Sequence, residues 1–176
     1  VTMNVAFGAR WTIDPGVVIK CGRIYYESFG NNISVAGAIS ARGKPDSLIV
    51  FTSLADDQFG QDVASDGVAT APAPSNWSGI AFTAVSNDTA NVFTNCRFRY
   101  GGYGGYGHVN ITNAAPNFTN CQFTQSGNSH AYIAGNSTPI FVNCDFDSTA
   151  ADPPVYLSLV SDPVFTYCRF QGNKIT

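Results

Sequence analysis

The chain has 176 residues, a formal net charge of −3, 44% hydrophobic residues and only 12% charged residues, about half the usual charged share of roughly 25%. That length fits one domain. The lack of a basic excess excludes nucleic-acid binding driven by phosphate neutralisation, and no apolar run reaches the ~18 residues of a membrane helix.

Strong helix formers are scarce: Glu27 is the sole Glu, Met3 the sole Met, and Lys and Leu occur three and four times. Phe, Val, Ile, Thr and Tyr suit strands, and Asn, Gly, Asp and Ser suit turns, so the chain is expected to be all-β. In chain order, residues 17–20 (VVIK) form the first predicted strand, followed by 33–35 (ISV) and 48–53 (LIVFTS). A long insertion, 54–76, precedes a strand at 77–82 (WSGIAF).

From there the sequence repeats. The string FTNCRF at 93–98 returns as FTNCQF at 118–123, FVNCDF at 141–146 and FTYCRF at 165–170. The cysteines of these copies, Cys96, Cys121, Cys144 and Cys168, are 25, 23 and 24 residues apart. A second, weaker strand lies between copies: HVNIT at 108–112, HAYIA at 130–134 and PVYLS at 154–158. Residues 17–20 and 48–53 fit the first strand type, and 33–35 and 77–82 the second.

A period of ~24 residues is too short for a propeller blade. It suits a solenoid coil of two or three short strands, successive coils pairing in parallel at about 4.8 Å. About six coils are expected in one domain spanning 1–176. Cys96 and Phe98 share one strand face and Arg97 and Arg99 the other, so stacking predicts inward ladders of Phe and Cys. The Asn before each Cys (Asn95, Asn120, Asn143) is expected to turn the chain and to form an amide ladder. No C-x-x-C occurs, and stacked Cβ atoms ~4.8 Å apart exceed usual disulfide geometry, so buried free thiols are expected.

On these residues, with IDPGVVIK at 13–20, VAGAISARG at 35–43, IVFTS at 49–53 and the insertion ending in PAPSNWSGI, the chain resembles the right-handed parallel β-helix repeat proteins of the pectin-lyase-like superfamily. More specifically, it resembles their large secreted or surface-anchored bacterial members. The resemblance implies the fold across essentially the whole chain and an extracellular or cell-surface setting, as a segment of a larger polypeptide with flanking domains. It leaves activity open, since the architecture hosts lyases, hydrolases, adhesins and stalks.

Four groups of residues are candidate sites. The outward positions Arg97, Gln122, Asp145 and Arg169 form a polar row, with Arg99, Thr124, Asp147 and Gln171 beside it. In pectate-lyase-like enzymes an Arg removes the proton beside a uronate carboxylate, so the resemblance makes Arg97, Arg99, Asp145 and Arg169 the catalytic alternative. The acidic insertion carries Asp56, Asp57, Asp62 and Asp66, the last followed by Gly67, a pattern that could wrap a structural Ca2+. Tyr100, Tyr103 and Tyr106, spaced by glycines, could stack on sugar rings. His108 and His130 open equivalent strands and are expected at solvated loop edges. With few carboxylates and no convincing acid–base set, the expected function is a non-catalytic stalk or adhesive module, with a polysaccharide or cell-surface glycan as its partner. A polysaccharide lyase or glycosidase fragment acting on acidic polysaccharide is the alternative.

Overall fold

The computed structural model of the chain describes residues 2–22, 32–63, 65, 67, 69–147, 149, 153–158 and 160–171. Its strands form three six-stranded parallel sheets, each taking one strand from each of six coils. Sheet A comprises β1 (Met3–Val5), β4 (Asn32–Val35), β7 (Gly79–Phe82), β10 (Val109–Thr112), β13 (Ala131–Ala134) and β16 (Val155–Leu157). Sheet B comprises β2 (Arg10–Ile13), β5 (Ala38–Arg42), β8 (Val92–Thr94), β11 (Asn117–Thr119), β14 (Ile140–Val142) and β17 (Val164–Thr166). Sheet C comprises β3 (Val18–Cys21), β6 (Ile49–Ser53), β9 (Cys96–Arg99), β12 (Gln122–Thr124), β15 (Asp145–Phe146) and β18 (Arg169–Phe170). The chain is a parallel β-helix of six coils.

The repeated hexapeptide is two strands rather than one. Asn95, Asn120 and Asn143 adopt φ of 49°, 54° and 51°, the left-handed conformation that Asn tolerates better than most residues. Each bends the chain from sheet B into sheet C, so that Phe93 and Cys96, three positions apart, both face inward and are buried. Tyr167 fills the same turn in the last copy, at φ 55°. The amide ladder is partial: Asn143 Nδ2 donates to Asn120 Oδ1 at 2.8 Å, whereas Asn95 Nδ2 donates to the Gly43 carbonyl at 3.0 Å.

Register fixes the core. Phe51, Phe98, Phe123, Phe146 and Phe170 pair position for position along sheet C, with ring centroids 5.0, 4.7, 4.8 and 5.0 Å apart. Phe93, Phe118, Phe141 and Phe165 form a second column along sheet B, at 5.0, 4.8 and 4.9 Å. The columns meet edge to face, for example Phe118 against Phe98 at 72°. This arrangement sets ring edges against the electron-rich faces. Sheet A closes the interior with Val35, Ile80, Phe82, Ile111 and Ile133.

The five cysteines are free thiols. Cys96, Cys121, Cys144 and Cys168 donate their S–H to carbonyls of the preceding coil, those of Ala41, Phe93, Phe118 and Phe141, at 3.4–3.6 Å. Burial pushes the Cys21 thiol up to about 12 and Cys121 well above its ordinary range, which keeps both protonated and inert.

Candidate functional site

Alternation on sheet A sends Ser34, Ala81, Asn110, Tyr132 and Tyr156 outward in one register row. Where Ala81 interrupts the row of larger side chains, a cavity of about 390 Å³ opens. Asn32, Ser78, Thr83, Asn110, Thr112 and Asn113 supply its polar lining, Ala81, Phe82 and Ala84 its apolar part, and Tyr106 contributes an aromatic ring. None of its lining side chains carries a charge at neutral pH. Farther along the face, Tyr132 and Tyr156 stack at 4.9 Å.

Tyr106 is held by local chemistry. Asn110 accepts the Gly107 N–H on Oδ1 at 2.7 Å and returns Nδ2 to the Gly107 carbonyl at 3.1 Å. This clasp fixes the backbone beside Tyr106, a residue that remains 51% exposed. The other tyrosines of the glycine stretch point elsewhere. Tyr100 is buried, and its hydroxyl accepts from Arg99 Nη2 at 3.0 Å. Tyr103 opens a 3-10 turn, Tyr103–Gly105, with its N–H on the Trp77 carbonyl at 3.1 Å. Of the three tyrosines singled out in the sequence, only Tyr106 lines the cavity. The amides and hydroxyls opposite it were not singled out; the alternation of Asn110 and Thr112 in HVNIT, which sets them on one face, is the signal that would have found them.

The polar row lies on sheet C. Arg97 Nε donates to Gln122 Oε1 at 2.8 Å, and Arg169 grips Asp145 with two nitrogens, Nε at 2.9 Å and Nη2 against Oδ2. An open groove runs over these residues and the Asn95–Asn120–Asn143 turns. Arg97, Asp145 and Arg169 therefore line one groove; Arg99 is not part of its lining, although Arg97 also reaches the Phe59 ring that covers Arg99, at 5.6 Å. The insertion folds Asp56 and Phe59 over Arg99, whose Nη1 donates to Asp56 Oδ2 at 3.0 Å. Its guanidinium lies 5.1 Å from the Phe59 ring centroid and 4.9 Å from that of Tyr100.

Asp56 is fully buried, and Thr52 Oγ1 also donates to it, at 2.5 Å. Asp57 lies 3.6 Å from Lys20 Nζ, and Asp62 Oδ2 accepts the Gly67 N–H at 2.8 Å. Asp66 lies outside the described residues. Among those described, no three His, Cys, Asp or Glu side chains gather as a metal cluster.

The histidines differ from expectation: both are completely buried. They sit at the corner entering sheet A, before strand alternation begins; their ring centroids are 5.1 Å apart in near-parallel planes, and Trp77, Phe123 and Phe146 pack against them at 6.2–6.4 Å. Burial, and then the neighbouring imidazole, hold His108 well below its ordinary value. Burial brings His130 down from 6.5 to about 4, against the opposing pull of the Asp147 carbonyl and the Asp147 and Asp145 charges.

Because the folded value lies below the unfolded one, the unfolded chain binds more protons between the two. Stability is therefore full above about pH 6.5 and falls as the pH drops toward 4, by on the order of 3 kcal/mol from His130 alone. Urea midpoints measured across that window should fall monotonically, and the fall should flatten in a His108→Gln/His130→Gln variant. Equal slopes in the two proteins would contradict this assignment.

Comparison with curated proteins and with solved structures yields no match to either. A family model described as the right handed beta helix region matches residues 75–176, well over half of the chain and four of its six coils. With six parallel coils stacked in register, the chain belongs to the right-handed beta helix family.

Proposed function

We propose that the chain is a non-catalytic extracellular or cell-surface module, a rigid solenoid that binds an uncharged saccharide in the sheet A cavity beneath Tyr106. The observation that carries this reading is half-exposed Tyr106, next to the Gly107 backbone that Asn110 clasps, on the wall of a cavity with no charged lining. A phenol ring offers an apolar face for the C–H surface of a sugar and a polar tip for its hydroxyls. Amides and hydroxyls around the rest of the wall suit a polyhydroxylated ligand. A uronate carboxylate would lose water there without gaining a cationic partner.

The arginines support the same reading. Arg97 and Arg169 are engaged on their own row, Arg99 is paired with Asp56 of the insertion, and no arginine is among the residues lining the cavity. Titration with a panel of neutral oligosaccharides at pH 7 should reveal binding that weakens about tenfold or more in Tyr106→Ala, a loss of roughly 1.4 kcal/mol. Binding confined to acidic saccharides and insensitive to Tyr106→Ala would contradict the proposal.

A further inference from the structure

The segment that carries Tyr106 is tied down at its start as well as its end: the Gly101 carbonyl accepts the Ser75 and Gly127 N–H groups, each at 2.9 Å, and its own N–H is held by an imidazole. The Gly101 N–H donates to His108 Nε2 at 3.1 Å. That nitrogen must therefore be bare, which places the His108 proton on Nδ1. His108 Nδ1 lies 3.1 Å from His130 Nδ1, and His130 Nε2 lies 2.7 Å from the Asp147 carbonyl oxygen. A carbonyl only accepts, so His130 carries its proton on Nε2 and presents the Nδ1 lone pair to His108. The result is one directed chain: Gly101 N–H to His108, His108 to His130, His130 to the Asp147 carbonyl.

This chain has room for two imidazole protons and no third. A further proton on His108 Nε2 would face the Gly101 N–H, and one on His130 Nδ1 would face the N–H of His108. The pair cannot turn aside: the Trp77, Phe123 and Phe146 rings pack against it, and a Cβ built on Gly101 would lie only 2.7 Å from His108 Cδ2. The charged groups facing it are Asp147 and Asp145, both on the His130 side.

We propose that the His108–His130 pair is an acid-operated latch on the 100–107 loop, so that proton uptake frees the Gly101 N–H, loosens the loop between Gly101 and Tyr106 and lets go of a saccharide held beneath it. The last step rests on the saccharide site proposed above; the latch itself does not. At neutral pH the pair holds the ring in place, and in acid the binding wall comes apart while the Phe ladders remain stacked.

Hydrogen exchange on the unliganded chain tests the latch directly. Protection of amides 101–107 should fall about tenfold per pH unit between pH 6.5 and 4, as expected for one-proton linkage to local opening. Amides of β11 and β12 should stay protected over that range. In a Trp11→Phe background, Trp77 fluorescence should change with the same midpoint, since Trp77 lies 6.2 Å from the His108 ring. His108→Gln/His130→Gln should abolish the pH dependence of both signals.

Protection that is constant with pH in the parent chain, or that is lost from β11 and β12 at the same pH as from the loop, would overturn the latch. These outcomes are independent of saccharide binding at pH 7, so the latch and the binding site fail separately.

Discussion

Phe123→Ala should destabilise the chain by about 3–5 kcal/mol, the cost of deleting a fully buried aromatic ring without collapse of the space it leaves. Phe123 stands in the middle of its column, 4.7 Å from Phe98 and 4.8 Å from Phe146, with no exposed surface. Phe118 and Phe141 present ring edges to it from sheet B. Coils above and below are fixed by parallel backbone pairing, so neither can move in to fill the void. Phe170, in the last described coil, is 48% exposed and stacks only on Phe146 within its column. Phe170→Ala should therefore cost less than half as much. Urea denaturation of both variants gives the comparison, and equal losses would mean that the column does not act as a stacked ladder.

Asp56→Ala should cost a similar amount for a different reason. The Asp56 carboxylate is buried with Arg99, whose side chain is only 11% exposed, and removing it leaves a guanidinium without its counter-charge in a poorly solvated place. Breaking one side of such a pair costs about 3–5 kcal/mol, whereas replacing both sides with apolar groups is often neutral. Asp56→Ala/Arg99→Met should consequently recover most of the stability lost in Asp56→Ala. A double-mutant cycle measures the coupling. A single-variant loss below about 1 kcal/mol would show instead that water screens the pair, as at an exposed ion pair.

The ladders were legible in the sequence because a solenoid places residues one period apart in the same environment. Four copies of one hexapeptide at near-constant spacing specify the same face, the same turn and the same neighbours. The sheet A strands were legible for the same reason, though their motif is looser. The long-range pairs were not. Asp56 meets Arg99 across 43 positions, a contact set by how the insertion folds over sheet C and unconnected with any period.

His108 and His130 do repeat, yet their burial was hidden. Alternation describes residues within strands, and these two precede their strands, at a corner where the backbone turns inward. Tyr100 is similar: it follows β9 with φ 60°, and that left-handed step turns its ring into the protein. Of the candidate site, the sequence therefore yielded Tyr106 as an aromatic on a glycine loop. The cavity wall opposite it needed strands from three coils to be brought side by side.

Parallel titration of the intact chain at pH 7 with neutral oligosaccharides and with oligogalacturonate plus calcium tests the functional account most directly. Heat of binding and the ultraviolet absorbance of an unsaturated sugar product would be followed together, with Tyr106→Ala and Arg169→Ala alongside; both residues are exposed enough to be changed without opening the core. The account predicts binding of a neutral saccharide that is lost in Tyr106→Ala and kept in Arg169→Ala, with flat absorbance throughout. Rising absorbance on the acidic polymer, abolished by Arg169→Ala and untouched by Tyr106→Ala, would contradict it and make the sheet C groove a lyase site.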